Sequence, residues 1–99
     1  MTNEVYLWAD GKLTVDEFEE LLKDDEQKAV FFDLPEKEAG SILKESADHD
    51  DDVKSTLDKL AKYLKSSWFR STALRKAKQY GLSTEEADEL VRVWLLYRG

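Results

Sequence analysis

Apolar residues in this chain recur at intervals of three and four, and strict alternation is nearly absent. That period belongs to one face of an α-helix, not to a half-buried strand. Val15, Phe18, Leu21 and Leu22 form one such stripe, and Ala39, Ile42 and Leu43 a second. Val53, Leu57, Leu60, Ala61 and Leu64 form a third, and Ala87, Leu90, Val91 and Trp94, extended by Tyr97, a last one. Four glycines and one proline leave little to interrupt them. The pattern predicts an all-α fold: one domain over 1–99, a compact bundle of four or five helices over 14–99, and an irregular or hairpin-like segment over 1–13. Val5-Tyr6-Leu7-Trp8 is the one strand-like stretch, and the turn dipeptide Asp10-Gly11 follows it.

Helix ends are marked locally. Thr14 and Glu17 have the spacing of a capping box, as do Ser83 and Glu86. Asp16, Glu17, Glu19 and Glu20 fall in the first turns of the first helix, where the helix dipole favours negative charge. Residues 29–32 are apolar and are expected to be buried. Pro35 suits the first turn of a second helix ending near Ser46. Asp48 then opens a run of four aspartates broken by His49, which suits a loop leading into a helix. Residues 51–80 read as one kinked helix or two, with the period blurring at Ser66-Ser67 and resuming at Trp68, Phe69, Ala73, Leu74 and Ala77. Gly81 is placed to close that stretch. The expected core is Phe18, Leu22, Leu60, Leu64, Trp68, Leu90, Val91 and Trp94.

A hydrophobic content of 41%, with three Trp and four Phe, is enough for a core despite the charge content. Without cysteine there is no disulfide and no thiol chemistry. No apolar run nears the ~20 residues of a membrane span. The first residues lack the basic-then-apolar order of a secretory signal. A cytoplasmic location and no membrane partner are expected.

Charge divides the chain. Residues 1–58 hold 18 acidic and 6 basic residues, a net of −12, and residues 59–99 hold 9 basic and 4 acidic, a net of +5; the whole carries −7. Such asymmetry points to a charged partner or to two attracting faces of one domain. The acidic half suggests docking on a basic protein surface, with Glu19, Glu20, Asp24, Asp25, Asp50 and Asp51 as contacts. Immunity proteins that neutralise nucleases, and phage proteins that imitate DNA, have a similar profile. On that basis a small acidic, non-catalytic inhibitor or regulator is the first expectation. The second is nucleic-acid binding through the aromatic basic segment 59–80, with Lys62, Lys65, Arg70, Arg75 and Lys76 on phosphates. Residues 73–94 also mimic a helix-turn-helix, but Ser83-Thr84-Glu85-Glu86 would face the phosphates with carboxylates. A third expectation is a structural or assembly subunit using Trp8 or residues 93–97.

Asp10-Gly11-Lys12-Leu13-Thr14-Val15-Asp16-Glu17 resembles the second half of an EF-hand loop. Tyr6 and Trp8 stand where the first half needs carboxylates, so no calcium site is expected. Ala9-Asp10-Gly11 is similar to the turn of TerB-like helical domains, over less than a fifth of the chain, and no site residue follows from that similarity. His49 is the only histidine, so a His-His zinc pair is excluded. With no nucleophile elbow or glycine-rich phosphate loop, neither an enzyme nor a bound cofactor is expected.

Overall fold

The computed structural model describes residues 11–98, and they are all-helical. Six helices follow one another: α1 (Val15–Lys23), α2 (Asp25–Phe32), α3 (Glu36–His49), α4 (Asp51–Leu64), α5 (Arg70–Gln79) and α6 (Thr84–Tyr97). The strand-like stretch at 5–8 lies outside the described residues. Both capping boxes form: the Thr14 and Ser83 hydroxyls accept from the backbone N–H of Glu17 and Glu86, whose carboxylates accept from the cap N–H groups in return.

The helix count exceeds the expected four or five because Asp24 divides what precedes Pro35. Its N–H donates to Glu20 and ends α1, while its carboxylate accepts from Glu26 and Gln27 and starts α2. Residues 29–32 therefore belong to a helix. Only Phe31 there is buried, with Val30 and Phe32 half-buried and Ala29 exposed. Pro35 is the N-cap of α3 and not a residue of its first turn. The second expected helix also runs on to His49, so Asp48 and His49 are helical and not in a loop. Asp50 makes the break. Its N–H donates to the Ser46 carbonyl at 2.8 Å, and its carboxylate accepts from Asp52 N at 2.8 Å to start α4.

The 51–80 stretch is two helices. α4 ends at Leu64, residues 65–69 turn, and α5 runs back along α4. Gly81 closes α5 with φ +97°, Gly81 N donating to Lys78 O at 3.0 Å and Leu82 N to Ala77 O at 2.9 Å. This paired arrangement needs the left-handed backbone that glycine adopts without a Cβ penalty.

Phe18, Leu22, Leu60, Leu64, Leu90, Val91 and Trp94 are all buried, joined by Leu13, Leu21, Phe31, Leu43, Val53, Leu57 and Leu82. Trp68 is the exception: expected in the core, it is 87% exposed. Its place on the stripe required α4 to continue past Leu64, and the chain turns there instead. α6 packs on α3, α4 and α5. Gly40 lets α3 approach it, since a Cβ there would lie 2.3 Å from the Tyr97 ring. No described helix is long and apolar enough to cross a membrane.

Candidate functional site

The six acidic candidates divide by what the fold does with them. Asp24 and Asp50 are helix caps. Asp50 also reaches across the fold, accepting the Val15 N–H at 2.8 Å, and that bond, with the Asp52 N–H, holds its carboxyl below the usual carboxylate range. Asp25 lies 3.9 Å from Lys28 Nζ and is otherwise in solvent. Glu20 and Asp51 are exposed and Glu19 is half-exposed, and none of these three meets a cation among the described residues. Asp50 sits at the start of α1 and Asp24 at its end. The two acidic clusters are thus separated by the length of α1, about 13 Å.

The basic candidates also separate. Arg70 is occupied: its guanidinium grips Asp88 with two bonds of 2.9 and 3.1 Å and donates to the Leu64 carbonyl at 3.2 Å. The Arg70 hydrogen bond holds the Asp88 carboxyl below its usual value, with Lys65 adding to the effect. Lys65 and Arg70 thus face α6, away from Lys62 and Lys76. Arg75 is exposed on α5 and lines neither recess of the α4–α5 groove.

Lys62 and Lys76 do come together, along a groove between α4 and α5. One recess of about 300 Å³ is lined by Lys59, Tyr63, Lys76 and Tyr80, with Leu60 and Ala73 among its lining. A second, of about 500 Å³, is lined by Lys62, Tyr63, Ser66, Phe69 and Thr72. Tyr63 and Thr72 line both recesses, so the two adjoin along the groove. Helical spacing builds it: residues 55, 56, 59, 62 and 63 share a face of α4, and 72, 73, 76 and 80 a face of the α5 region. Lys62 Nζ lies 5.9 Å from the Tyr63 ring centre and Lys76 Nζ 5.7 Å from that of Tyr80. These are cation–π distances. Among the described residues no Asp or Glu lines the groove, and no carboxylate pairs with its lysines.

At the turn end stand Trp68, 87% exposed, and Phe69, 54% exposed and 5.6 Å from the Tyr63 ring, centre to centre. Ser55, Thr56 and Lys59 complete a site that sequence reasoning only partly named. The signal for it was present: seven basic residues and no acid from 59 to 82. What lay hidden was which of them share a face.

The groove runs along the α4–α5 pair, with Ser55, Thr56 and Tyr80 near the end where α1 and α2 attach and Phe69 at the turn end. The bond from Val15 to Asp50 ties α1 to the start of α4. Lys28 of α2 donates to the Gly81 carbonyl at the end of α5. The Trp68–Phe69 turn is at the other end of both helices, some 15–20 Å away along them.

The helix-turn-helix geometry does not carry over to a groove-reading role. Of the acids on α6, Glu86 pairs with Lys28 and Asp88 with Arg70, while Arg92 bridges Glu89 and Glu36. α6 packs on three helices, and the face that it leaves exposed carries Glu85, Asp88 and Glu89. The assembly reading also loses area, since Val93 and Trp94 are core and only Leu96 of 93–97 is well exposed. Trp8 lies outside the described residues. Glu17, the residue that would close an EF-hand loop, is turned onto the Thr14 N–H at 3.0 Å. Among the described residues no group of three metal-ligating side chains converges.

The fold and the groove define a small helical domain with an open basic, aromatic channel. No known protein family, curated protein or solved structure matches the chain.

Proposed function

We propose that this protein is a non-catalytic binding module that takes an anionic macromolecule into the α4–α5 groove, nucleic acid being the class that its aromatic lining favours. One observation carries this reading: three lysines, Lys59, Lys62 and Lys76, line adjoining recesses that contain no carboxylate among the described residues. Cations without internal partners cost little to bring onto phosphate, whereas Arg70 would first have to leave Asp88. The chain's net charge of −7 argues for a local contact, with the anion confined to the groove. Binding of labelled heparin at low salt, followed by anisotropy, tests this. The reading predicts loss of binding on combined Lys59→Ala, Lys62→Ala and Lys76→Ala. Unchanged binding in that variant would remove the groove as the site.

A second reading keeps the acidic elements as a docking surface for a basic protein, as an inhibitor or regulator. Glu19, Glu20 and Asp51 support it, because none of them meets a cation among the described residues. Asp24 and Asp50 do not, because they are engaged as caps. Neutralising Glu19, Glu20, Asp25 and Asp51 to amides should abolish salt-sensitive binding to polylysine. Retained binding would dismiss this surface.

A further inference from the structure

We propose that the α4–α5 groove holds single-stranded nucleic acid, with phosphates on Lys59, Lys62 and Lys76 and bases stacked on Trp68 and Phe69. The inference rests on the reading of the groove as an anion site and adds the chemistry of the ligand. The lysines alone would accept any polyanion. The aromatics narrow the choice: Phe69, 54% exposed, lines the groove, and Trp68, 87% exposed, precedes it in the same turn. Neither belongs to the core, and Phe69 packs beside the Tyr63 ring with its centre 5.6 Å away. Base faces match such rings, and stacking tolerates every base because each has a π-face.

Duplex fits less well. Its bases are already stacked on one another, so Trp68 and Phe69 would find no open face. Sequence readout would need a helix or ribbon free to enter the major groove, and the face that α6 leaves exposed carries Glu85, Asp88 and Glu89. An acidic peptide would satisfy the lysines and leave the flat rings unused. Hydroxyls of Ser55, Thr56 and Thr72 along the groove add donors suited to phosphate and sugar oxygens. The channel also has a direction. Asp52 precedes Ser55 and Thr56 by one turn of α4, on the side where α1 joins. A strand is accepted at the Trp68 end and repelled at the Asp52 end.

The test is anisotropy of a labelled oligothymidine, titrated with the full chain between about 50 and 200 mM salt. Trp68→Ala should weaken binding by at least about five-fold at any one salt concentration, while Trp68→Tyr restores most of it. The Ala change should leave the salt slope unaltered. Each of Lys59→Ala, Lys62→Ala and Lys76→Ala should lower that slope by about 0.7. The matched duplex should bind more weakly. If heparin binds and oligothymidine does not, or duplex is preferred, or polyglutamate competes equally with Trp68→Ala without effect, the single-strand inference fails and the anion site stands. If neither heparin nor oligothymidine binds at the lowest salt, both readings fall.

Discussion

Asp50 Oδ2 accepts the backbone N–H of Val15 at 2.8 Å while Oδ1 accepts that of Asp52 at 2.8 Å. One carboxylate thus starts α4 and holds the first residue of α1, 35 positions earlier. Each of those N–H groups is an orphan donor of a helix first turn, with partial positive charge behind it.

Acid should loosen this joint. The Val15 and Asp52 bonds depress the Asp50 pKa, so the folded state holds fewer protons than the unfolded one near the carboxylate range. Its contribution to stability is complete above the ordinary Asp value of about 3.9 and fades as pH falls through the lowered folded value. Asp50→Asn should lower the urea midpoint at pH 6. The gap to the parent should narrow as pH drops below about 4, and a gap constant with pH would contradict the linkage.

Trp94 is 2% exposed, and its indole N–H donates to Asp58 Oδ1 at 2.9 Å. Removing the acceptor strands a buried donor, which costs about 1–3 kcal/mol. Asp58→Ala should lose that much in denaturant unfolding and Asp58→Asn, which keeps an acceptor oxygen, clearly less. Arg98 also donates to Asp58 Oδ1, at 3.0 Å, and Arg98→Ala should matter little because that pair is largely solvated.

The two tryptophans placed in the core by sequence periodicity should behave oppositely. Trp94→Ala is expected to cost about 3–5 kcal/mol. Trp68→Ala should stay within about 0.5 kcal/mol of the parent, as at an exposed position. Thermal unfolding of both variants checks this directly.

Gly40 and Gly81 are required for different reasons. At Gly81 the backbone is left-handed, and a Cβ would lie 2.6 Å from the Leu22 carbonyl oxygen. Gly81→Ala should cost at least ~1 kcal/mol from backbone conformation alone, and more from the clash. At Gly40 the nearest obstacle is the Tyr97 ring. Gly40→Ala should destabilise the parent, since overpacking of about 1–3 kcal/mol outweighs the helix gain of about 1 kcal/mol. In a Tyr97→Ala background the same change should become stabilising, and a cost that persists there would place the constraint elsewhere.

Much of this fold can be read locally. The stripes at Val53, Leu57, Leu60 and Leu64 and at Ala87, Leu90, Val91 and Trp94 fall on buried faces, because three-to-four spacing and helix geometry are the same statement. α2 carries no such stripe, because its apolar residues cluster at its end. Trp68, four residues after Leu64, continues the α4 register on paper, but the helix ends at Leu64 and the ring is left exposed. The basic segment was visible as composition, yet Arg70 is spent on Asp88 while Lys59 joins the groove.

The sequence by itself determined the all-α class, both capping boxes, the closing role of Gly81 and most of the core. Each depends on residues within a turn or so of one another. Only the tertiary structure decided where residues 51–80 fold back, which charges are consumed and which remain for a partner. Those outcomes hang on contacts between distant positions, 18 apart for Arg70 and Asp88, 35 for Val15 and Asp50, and 36 for Trp94 and Asp58. A side chain's local pattern states which face it occupies, and only the packed neighbours determine whether that face meets another helix or water.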